Sequence, residues 1–203
     1  MAVTTGILSP YSAAEERIVP SLEAMAEKVS HLKGLGYKVV LTSGSFDLIH
    51  LGHVKYLQRA KECGDILAVG VDCDEKIRRR KGSDRPMVPE DERLQLLAYQ
   101  RPVDLIYLKR ESDERWGLLK AVAPDVLVLT VDHSYSAEQQ QALAQYCGRI
   151  EVIERQASVT TSERIRQMYL HMGERLGPKL AQELGPKLSE LLPGLIESLL
   201  QRR

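Results

Sequence analysis

The 203-residue sequence contains few cysteines, and their spacing suggests no pairing. Cys63, Cys73 and Cys147 stand far apart and form no Cys-x-x-Cys motif. This pattern argues against a disulfide scaffold and against a cysteine-based zinc site. It fits a protein of the reducing cytoplasm, which is the compartment we expect for this chain.

Long apolar segments and an excess of one charge are also missing. No apolar run reaches the length of about eighteen residues that suits a membrane span, and charges at 15–17 interrupt the N-terminal region. The 28 basic residues balance 28 acidic ones, so nothing global attracts nucleic acid or an anionic membrane. Any binding of phosphate must therefore be local.

The middle of the sequence alternates between two periodicities. Short runs rich in Val and Ile predict buried strands at 38–43, 66–72, 103–108, 126–131 and 150–153. Segments with helical spacing lie between them, at 52–63, 89–99, 112–122 and 136–146. This alternation predicts an α/β fold with a Rossmann-like, doubly wound parallel sheet. Ligands of such sheets bind beyond the carboxyl ends of the strands.

The two ends of the chain fall outside this alternation. Residues 1–35 are expected to form an N-terminal helical extension, residues 36–170 the main domain, and residues 171–203 a C-terminal helical tail. The tail repeats Leu-Gly-Pro-Lys-Leu at 176–180 and 184–188, with each proline placed to open a helical turn. Its leucines fall near one face, which favours packing on the body or on a second subunit over a membrane-surface helix.

The most informative stretch directly follows the first strand. It reads Ser43-Gly44-Ser45-Phe46-Asp47, then Leu48-Ile49-His50-Leu51-Gly52-His53 and Val54-Lys55. Gly44 allows a tight turn, and a helix is expected to begin near Gly52 with its free N–H groups directed beyond the strand. Two imidazoles at a helix N-terminus suit nucleotide transfer, which needs positioning and positive charge rather than a protein nucleophile. The alternative is that both histidines are ordinary surface residues, but such residues would not need this combination of strand, turn and helix start around them.

This stretch resembles the signature of the cytidylyltransferase-like nucleotidyltransferases, and the resemblance covers about residues 36–170. The family includes glycerol-3-phosphate and phosphocholine cytidylyltransferases and the adenylyltransferase of bacterial ADP-heptose synthesis. The resemblance implies that His50 and His53 contact the triphosphate and stabilise the transition state. It also implies nucleotide contacts from neighbouring residues, which are Ser43, Gly44, Ser45, Phe46, Asp47, Gly52 and Lys55.

A basic segment after the second strand supports the match. Residues 76–82 are expected to form a loop, and the pair Lys81-Gly82 resembles the family's mobile loop in which a lysine closes over the phosphates. Lys81 is therefore a catalytic candidate. Arg93, in the next helix, resembles a family arginine and is a candidate for binding the substrate, with a surface ion pair as the alternative.

A hydroxyl-rich segment after the last strand resembles the family's R-T-E-G-I-S-T-S/T signature. By this match Arg155, Thr160, Thr161 and Ser162 contact the nucleotide at the start of the final helix. In the middle of the segment Ala-Ser replaces Glu-Gly. The alternative is a plain helix N-cap, but a cap would require only one hydroxyl, whereas this segment carries three in succession.

The turn after the fourth strand departs most from the family. Residues 129–135 stand where heptose-type enzymes carry K-G-G-D-Y, and only Asp132, a nucleotide-binding candidate, keeps its register. His133 is a candidate substrate contact, with an exposed loop residue as the alternative. The larger residues leave the acceptor and the base open.

The favoured function is transfer of a nucleoside monophosphate from ATP or CTP to a small phosphorylated substrate, preferably a sugar 1-phosphate. A cytidylyltransferase for an alcohol phosphate such as glycerol 3-phosphate is the first alternative, and an inactive nucleotide-binding or assembly protein is the second. The first strand lacks a following G-x-G-x-x-G, which argues against a dehydrogenase. We expect Mg²⁺ to arrive with the triphosphate, no protein metal site, and a homodimer.

Overall fold

The computed structural model describes residues 14–131, 135–154 and 161–200, and it shows a five-stranded parallel sheet. The strands are β1 (Val39–Gly44), β2 (Ile66–Asp72), β3 (Leu105–Lys109), β4 (Val126–Thr130) and β5 (Arg149–Ile153), in the order β3-β2-β1-β4-β5. All four neighbouring pairs are parallel. The predicted Rossmann-like sheet is confirmed.

Helices cover both faces of this sheet. The helices of the sheet unit are α1 (Leu22–Gly34), α2 (Leu51–Lys61), α3 (Asp74–Lys81), α4 (Glu90–Ala98), α5 (Gly117–Val122) and α6 (Ala137–Ala144). A last helix, α7 (Thr161–Leu200), follows in the sequence and belongs to a separate unit. One apolar cluster includes α2 and α4, and the other includes α1, α5 and α6. β2 lies between the two clusters and is buried along its whole length, which explains why its sequence is apolar without alternation.

The order of the strands reverses between β1 and β4. β2 and β3 are added on one side of β1, whereas β4 and β5 lie on its other side. The connections leaving β1 and β4 therefore diverge, and a crevice opens between their carboxyl ends. This crevice is where the fold predicts a ligand.

The N-terminal segment packs into the same body as the sheet. A short 3-10 turn at Ala14–Arg17 leads to an isolated bridge between Ile18 and Ile106 beside β3. Helix α1 begins at the N-cap Ser21, whose hydroxyl accepts a hydrogen bond from the backbone N–H of Ala24. Its buried residues include Met25 and Val29, which join the core under the sheet. The described part of residues 1–35 is thus part of the sheet's own core rather than an appendage.

The structure corrects two local expectations. The basic residues expected in a loop form helix α3 instead, which ends at Gly82 with φ of +98°. Their apolar anchor is Ile77, which is fully buried and gives the segment an inner face. The two prolines of the tail repeat are expected to open helical turns, but Pro178 and Pro186 lie inside one continuous helix.

Contacts divide the chain between residues 158 and 159, so α7 belongs to a unit of its own. Helix α7 also runs across residue 170, where the sequence placed the start of the tail. Most of its described side chains are exposed, including an apolar series at 168–192. Among the helices of the described residues, none is long and apolar enough to span a bilayer.

Candidate active site

The turn between β1 and α2 has an unusual backbone. Phe46 and Leu48 both adopt positive φ values, 48° and 47°, a region that costs non-glycine residues about 1–3 kcal/mol each. A Cβ atom on Gly44 would lie 3.2 Å from the ring of Phe46, so the glycine lets that ring fold back over the end of the strand. Such a conformation requires contacts from outside the turn.

Asp47 supplies the first of these contacts. Its carboxylate is buried and pairs with the guanidinium of Arg85 at 2.6 Å. It also accepts hydrogen bonds from the backbone N–H groups of Met87, at 3.0 Å, and Val88, at 3.1 Å. The segment between α3 and α4 therefore clamps the turn, which is more than the local turn capping that an aspartate usually provides.

Arg93 supplies the second contact and is completely buried. Its guanidinium donates to the carbonyl oxygen of Ser45, the carbonyl oxygen of Asp72 and the carboxylate of Asp74. With no exposed surface, it cannot touch a substrate in this conformation. The structure thus assigns Arg93 a positioning role, in contrast to the substrate contact and to the surface ion pair expected from the sequence.

His50 and His53 come together at the start of α2. Their rings stack with centroids 4.0 Å apart, and the Nδ1 atom of His50 accepts a hydrogen bond from the N–H of Gly52. Because Nδ1 accepts, neutral His50 carries its proton on Nε2, which leaves Nε2 as the donor. The two imidazoles therefore lie together at the N-terminus of α2.

His53 is held in the neutral form. Its pKa is lowered to about 4, mainly by burial and further by the charges of His50 and Lys81, with a smaller opposing effect from Asp47. Its Nδ1 atom is buried and has no hydrogen-bond partner among the described residues. Phe46 packs against the ring edge with centroids 5.7 Å apart, so the side chain is fixed by packing.

Lys81 is the last residue of helix α3, which follows the carboxyl end of β2. Its pKa is lowered by burial and by the neighbouring charges of Arg80 and Arg85. Its own charge affects the pKa of His53, so the two groups are close enough to interact. The following Gly82 has a positive φ, which a residue with a side chain adopts only with strain, and the helix ends there.

A second group of charges was missed by the sequence reasoning. Asp72, the buried last residue of β2, binds the ammonium of Lys109 at 3.0 Å and the guanidinium of Arg80 at 2.9 Å. Arg80 also donates to the hydroxyl of Ser45 at 2.7 Å. Burial raises the pKa of Asp72, but the two cations outweigh it, and the net pKa lies below the usual range. Position at the carboxyl ends of β2 and β3 was the available signal.

Two cavities open along the carboxyl edge of the sheet. One, of about 440 Å³, reaches from Ser43 and Gly44 at the end of β1 to Thr130 at the end of β4. The other, of about 640 Å³, lies beyond β2 and β3. The two cavities share four of their lining residues, which are Asp72, Arg80, Lys109 and Trp116. They form one cleft, which we call the charged cleft.

A buried hydroxyl pair holds β1, α2 and β4 together beneath the crevice. The hydroxyls of Thr42 and Tyr56 lie 2.6 Å apart, so one donates to the other, and the second donates to the carbonyl oxygen of Val128, which is 3.1 Å from the Thr42 hydroxyl and 3.3 Å from the Tyr56 hydroxyl. Burial raises the pKa of Tyr56 to about 12, so this hydroxyl keeps its proton. The three elements that meet at the histidine pair are therefore fixed relative to one another.

The remaining sequence candidates are placed as follows. Ser43 is exposed and Gly44 half-buried at the end of β1, Gly52 is buried in the first turn of α2, and Lys55 is exposed on the next turn. Asp132, His133, Arg155 and Thr160 lie outside the described residues. Thr161 and Ser162 begin α7, and their side chains also lie outside the description.

One group of side chains in the described part of the chain is compact enough to hold a metal ion. It consists of Cys73, Glu75 and Glu90 at the start of α3. The carboxylate of Glu90 already accepts a hydrogen bond from the N–H of Asp74 at 2.8 Å, so it serves as a cap for α3. This group includes none of the candidate site residues.

Comparison with known proteins agrees with this geometry. The sequence profile of the cytidylyltransferase-like family matches residues 41–168, which is more than half of the chain and includes both histidines. The chain belongs to the cytidylyltransferase-like family. Members of this family are nucleotidyltransferases, so the class of the enzyme follows from the match.

Curated relatives of this family member include bifunctional HldE proteins. The bifunctional protein HldE of Nitratiruptor sp. is 38% identical over 151 residues, which is 74% of this chain and 32% of that protein. The HldE protein of Syntrophotalea carbinolica is 41% identical over 120 residues, 59% of this chain and 24% of its own. The chain therefore spans about a third or less of the length of these curated relatives.

A solved structure shows the same fold. The lipopolysaccharide core biosynthesis protein from Thermoplasma volcanium has a TM-score of 0.51 and 31% identity, and the match covers 59% of this chain and 97% of that one. The shared part is thus nearly the whole of the smaller protein.

Proposed function

We propose that this family member transfers a nucleoside monophosphate from a nucleoside triphosphate to the phosphate of a small phosphorylated substrate, with release of pyrophosphate. The observation that carries the proposal is the stacked pair His50 and His53 at the N-terminus of α2, beside the crevice between β1 and β4. A helix N-terminus binds phosphate oxygens through its free N–H groups and dipole.

In this reaction an oxygen of the acceptor phosphate attacks the α-phosphorus. The bond from that phosphorus to the bridging oxygen of the β-phosphate breaks, and pyrophosphate leaves with the electron pair. Charge rises on the phosphoryl oxygens, where imidazole and backbone N–H donors stabilise it. Lys81 interacts with His53 electrostatically and is placed to offset the charge of the departing pyrophosphate.

The triphosphate contacts are proposed from the sequence resemblance and the placement of the described residues. Ser43 and Gly44 line the crevice, Gly52 lies in the first turn of α2, and Lys55 lies one turn further along that helix. Ser45, Phe46 and Asp47 form the turn that supports the histidines. Asp132, Arg155, Thr160, Thr161, Ser162 and His133 remain proposed ligand contacts on the same basis.

Magnesium fits this site as a partner of the triphosphate. The two buried carboxylates at the site, Asp47 and Asp72, are already paired with Arg85 and with Arg80 and Lys109. A Mg²⁺ ion would therefore be held through triphosphate oxygens and water rather than by a protein cage, and it would neutralise charge on the phosphates.

The HldE relatives favour ATP and a sugar 1-phosphate. These proteins combine a heptose 7-phosphate kinase with a heptose 1-phosphate adenylyltransferase, and the chain matches about a third of their length. We propose ATP and heptose 1-phosphate as the first pair to test. CTP with glycerol 3-phosphate is the second.

Release of pyrophosphate tests the proposal. Purified protein with Mg²⁺ is given ATP or CTP together with heptose 1-phosphate, mannose 1-phosphate or glycerol 3-phosphate, and we expect pyrophosphate with one combination. His53→Ala should reduce the rate by about a hundredfold or more, a loss typical of a removed transition-state donor. His31→Ala, on the exposed face of α1, is the control and should keep the rate.

The absence of product with every combination would contradict the proposal. Binding then separates the remaining possibilities, because an inactive nucleotide-binding protein would still be stabilised against heat by one triphosphate. A protein that no triphosphate stabilises would have neither function.

We also propose that the protein acts as a homodimer through helix α7. Apolar side chains recur on consecutive turns of this helix, and those from Leu176 to Leu192 are about half exposed. Three internal prolines each remove a backbone donor, so an isolated α7 would be weak and needs a partner for its apolar side chains.

The sequence of α7 is complementary to itself in antiparallel register. Centred on Leu184, the apolar residues pair as Leu180 with Leu188 and Leu176 with Leu192. The same register brings opposite charges together, because Lys179 then lies near Glu190 and Glu183 near Lys187 of the second copy. A second copy of this chain is therefore the partner that we propose.

A further inference from the structure

In the charged cleft two positively charged side chains pair with one buried carboxylate, that of Asp72, so positive charge is in excess at this point. Arg80 and Lys109 approach Asp72 from different elements, at the end of α3 and at the end of β3. Asp72 is only 5% exposed, whereas the side chains of Arg80 and Lys109 are 51% and 29% exposed. The carboxylate therefore fixes one side of each cation and leaves the rest facing the cleft.

Arg80 connects this group to the histidine turn. Its guanidinium donates to the hydroxyl of Ser45, two residues after the end of β1. A phosphate held by Arg80 and Lys109 would thus lie in the charged cleft, on the side of the turn that leads to the histidine pair. An acceptor phosphate must occupy such a position to attack the α-phosphorus in line.

The part of the cleft beyond β2 and β3 is lined by groups of both signs. Carboxylates accept hydrogen bonds and ammonium or guanidinium groups donate them, and a hydroxyl does both. A ligand with many hydroxyls can satisfy this lining, whereas a hydrocarbon chain cannot. The charged residues in question are Lys76, Arg79, Glu111, Asp113, Glu114 and Arg115.

We infer that the part of the charged cleft beyond β2 and β3 is the acceptor site, with the acceptor phosphate on Arg80 and Lys109 and a hydroxyl-rich body in the cavity there. Asp72 is a positioning residue that holds both cations. The inference rests on the proposed function and deepens it, because it makes the acceptor a phosphorylated sugar or polyol. It also separates the acceptor from the triphosphate, which remains with the histidines and Lys81.

Steady-state kinetics with ATP and heptose 1-phosphate test this assignment. Lys109→Ala removes a charged hydrogen-bond donor, so we expect the KM for heptose 1-phosphate to rise about tenfold or more while the KM for ATP changes less than about twofold. Lys109→Arg should restore most of the loss. Lys28→Ala is the matched control, because Lys28 is exposed on α1 and lines neither cavity.

Asp72→Asn tests the positioning role. Both cations would lose the charge that holds them, so the acceptor KM should rise here as well, with the ATP KM unchanged. A structural defect alone would affect both substrates. An unchanged acceptor KM in Lys109→Ala, or an equal rise in the KM for ATP, would overturn the assignment.

Binding of the acceptor alone distinguishes this inference from the proposed function. Heptose 1-phosphate without nucleotide should raise the Tm of the wild type and of Lys28→Ala but not that of Lys109→Ala. If no pyrophosphate forms while this difference in Tm is seen, the site stands and the reaction is wrong. If heptose 1-phosphate and mannose 1-phosphate leave the Tm of the wild type unchanged, the acceptor site is wrong.

Discussion

At the scale of single residues, buried charges decide the shape of the site. Asp47 lies in the turn between β1 and α2, Arg93 contacts this turn from α4, and both side chains are almost fully buried. Each forms several hydrogen bonds, so neither is an isolated charge in the core. They hold Phe46 and Leu48 in their strained conformations, and this in turn fixes where His50 and His53 begin α2.

Arg93→Met should destabilise the fold rather than weaken substrate binding alone. Removal of the guanidinium leaves the carboxylate of Asp74 and three carbonyl oxygens without their donor, and breaking such a buried pair costs about 3–5 kcal/mol. Urea denaturation measures the loss. Arg79→Met, whose side chain is 71% exposed, should lose no more than about 1 kcal/mol. Equal stabilities, with a raised KM in Arg93→Met, would restore Arg93 as a substrate residue.

His53 should make the protein less stable in mild acid. Its pKa is about 4 when folded and about 6.5 when unfolded, so the unfolded state takes up a proton first as the pH falls. The free energy of unfolding should therefore decrease from about pH 6.5 to about pH 4. Above pH 6.5 neither state binds the proton, and this contribution is constant.

Substitution checks that contribution. His53→Asn should flatten the dependence of Tm on pH in this window, whereas His31→Asn should leave it as in the wild type because His31 is exposed. An unchanged slope in His53→Asn would show that other groups cause the acid sensitivity.

At the scale of elements, β2 and α5 approach each other unusually closely beside the charged cleft. A Cβ atom on Gly70, in β2, would lie 2.5 Å from Leu118 of α5 and 2.6 Å from the hydroxyl of Ser43. It would also meet Lys109 at 2.8 Å. The glycine therefore allows α5 to pack directly on the central strands, and the cleft forms where that packing ends.

Gly70→Ala should overpack this contact. We expect a loss of about 1–3 kcal/mol in the free energy of unfolding, because three side chains must move at once. Gly34→Ala, at the end of α1, meets no atom within 4 Å and should be neutral or slightly stabilising. Equal Tm values for the two variants would show that α5 is able to move away without cost.

At the scale of the whole molecule, the structure describes a sheet unit and the separate helix α7, and the proposed dimer concerns the second of these. Leu184→Glu introduces a charge at the centre of the proposed antiparallel contact. We expect a dimer for the wild type and a monomer for Leu184→Glu when mass is measured by light scattering after gel filtration.

Gln182→Glu adds the same charge to α7 next to Glu183, away from the apolar series, and should remain a dimer. A monomeric wild type, or a dimer that survives Leu184→Glu, would contradict the proposed contact. If the wild type instead bound neutral lipid vesicles through α7, the membrane-surface alternative would replace the dimer.

The sequence by itself determined the strands, the parallel sheet and the family, because these depend on local periodicity and on one contiguous motif. The apolar run 66–72 is an example, because an uninterrupted apolar run of this length indicates a strand buried on both faces even when its neighbouring strands are unknown. The histidine pair was also predicted, because both imidazoles lie within one turn of a helix start.

Only the tertiary structure decided which charges serve the site. No local pattern in the sequence shows which partners Arg93 and Asp72 contact. Their buried contacts make Arg93 a support for the turn and Asp72 an anchor for two cations. The helical state of the basic segment depended on the burial of Ile77 against the core. These outcomes follow from contacts between distant segments, and free energies of burial and pairing are set by such contacts rather than by local sequence.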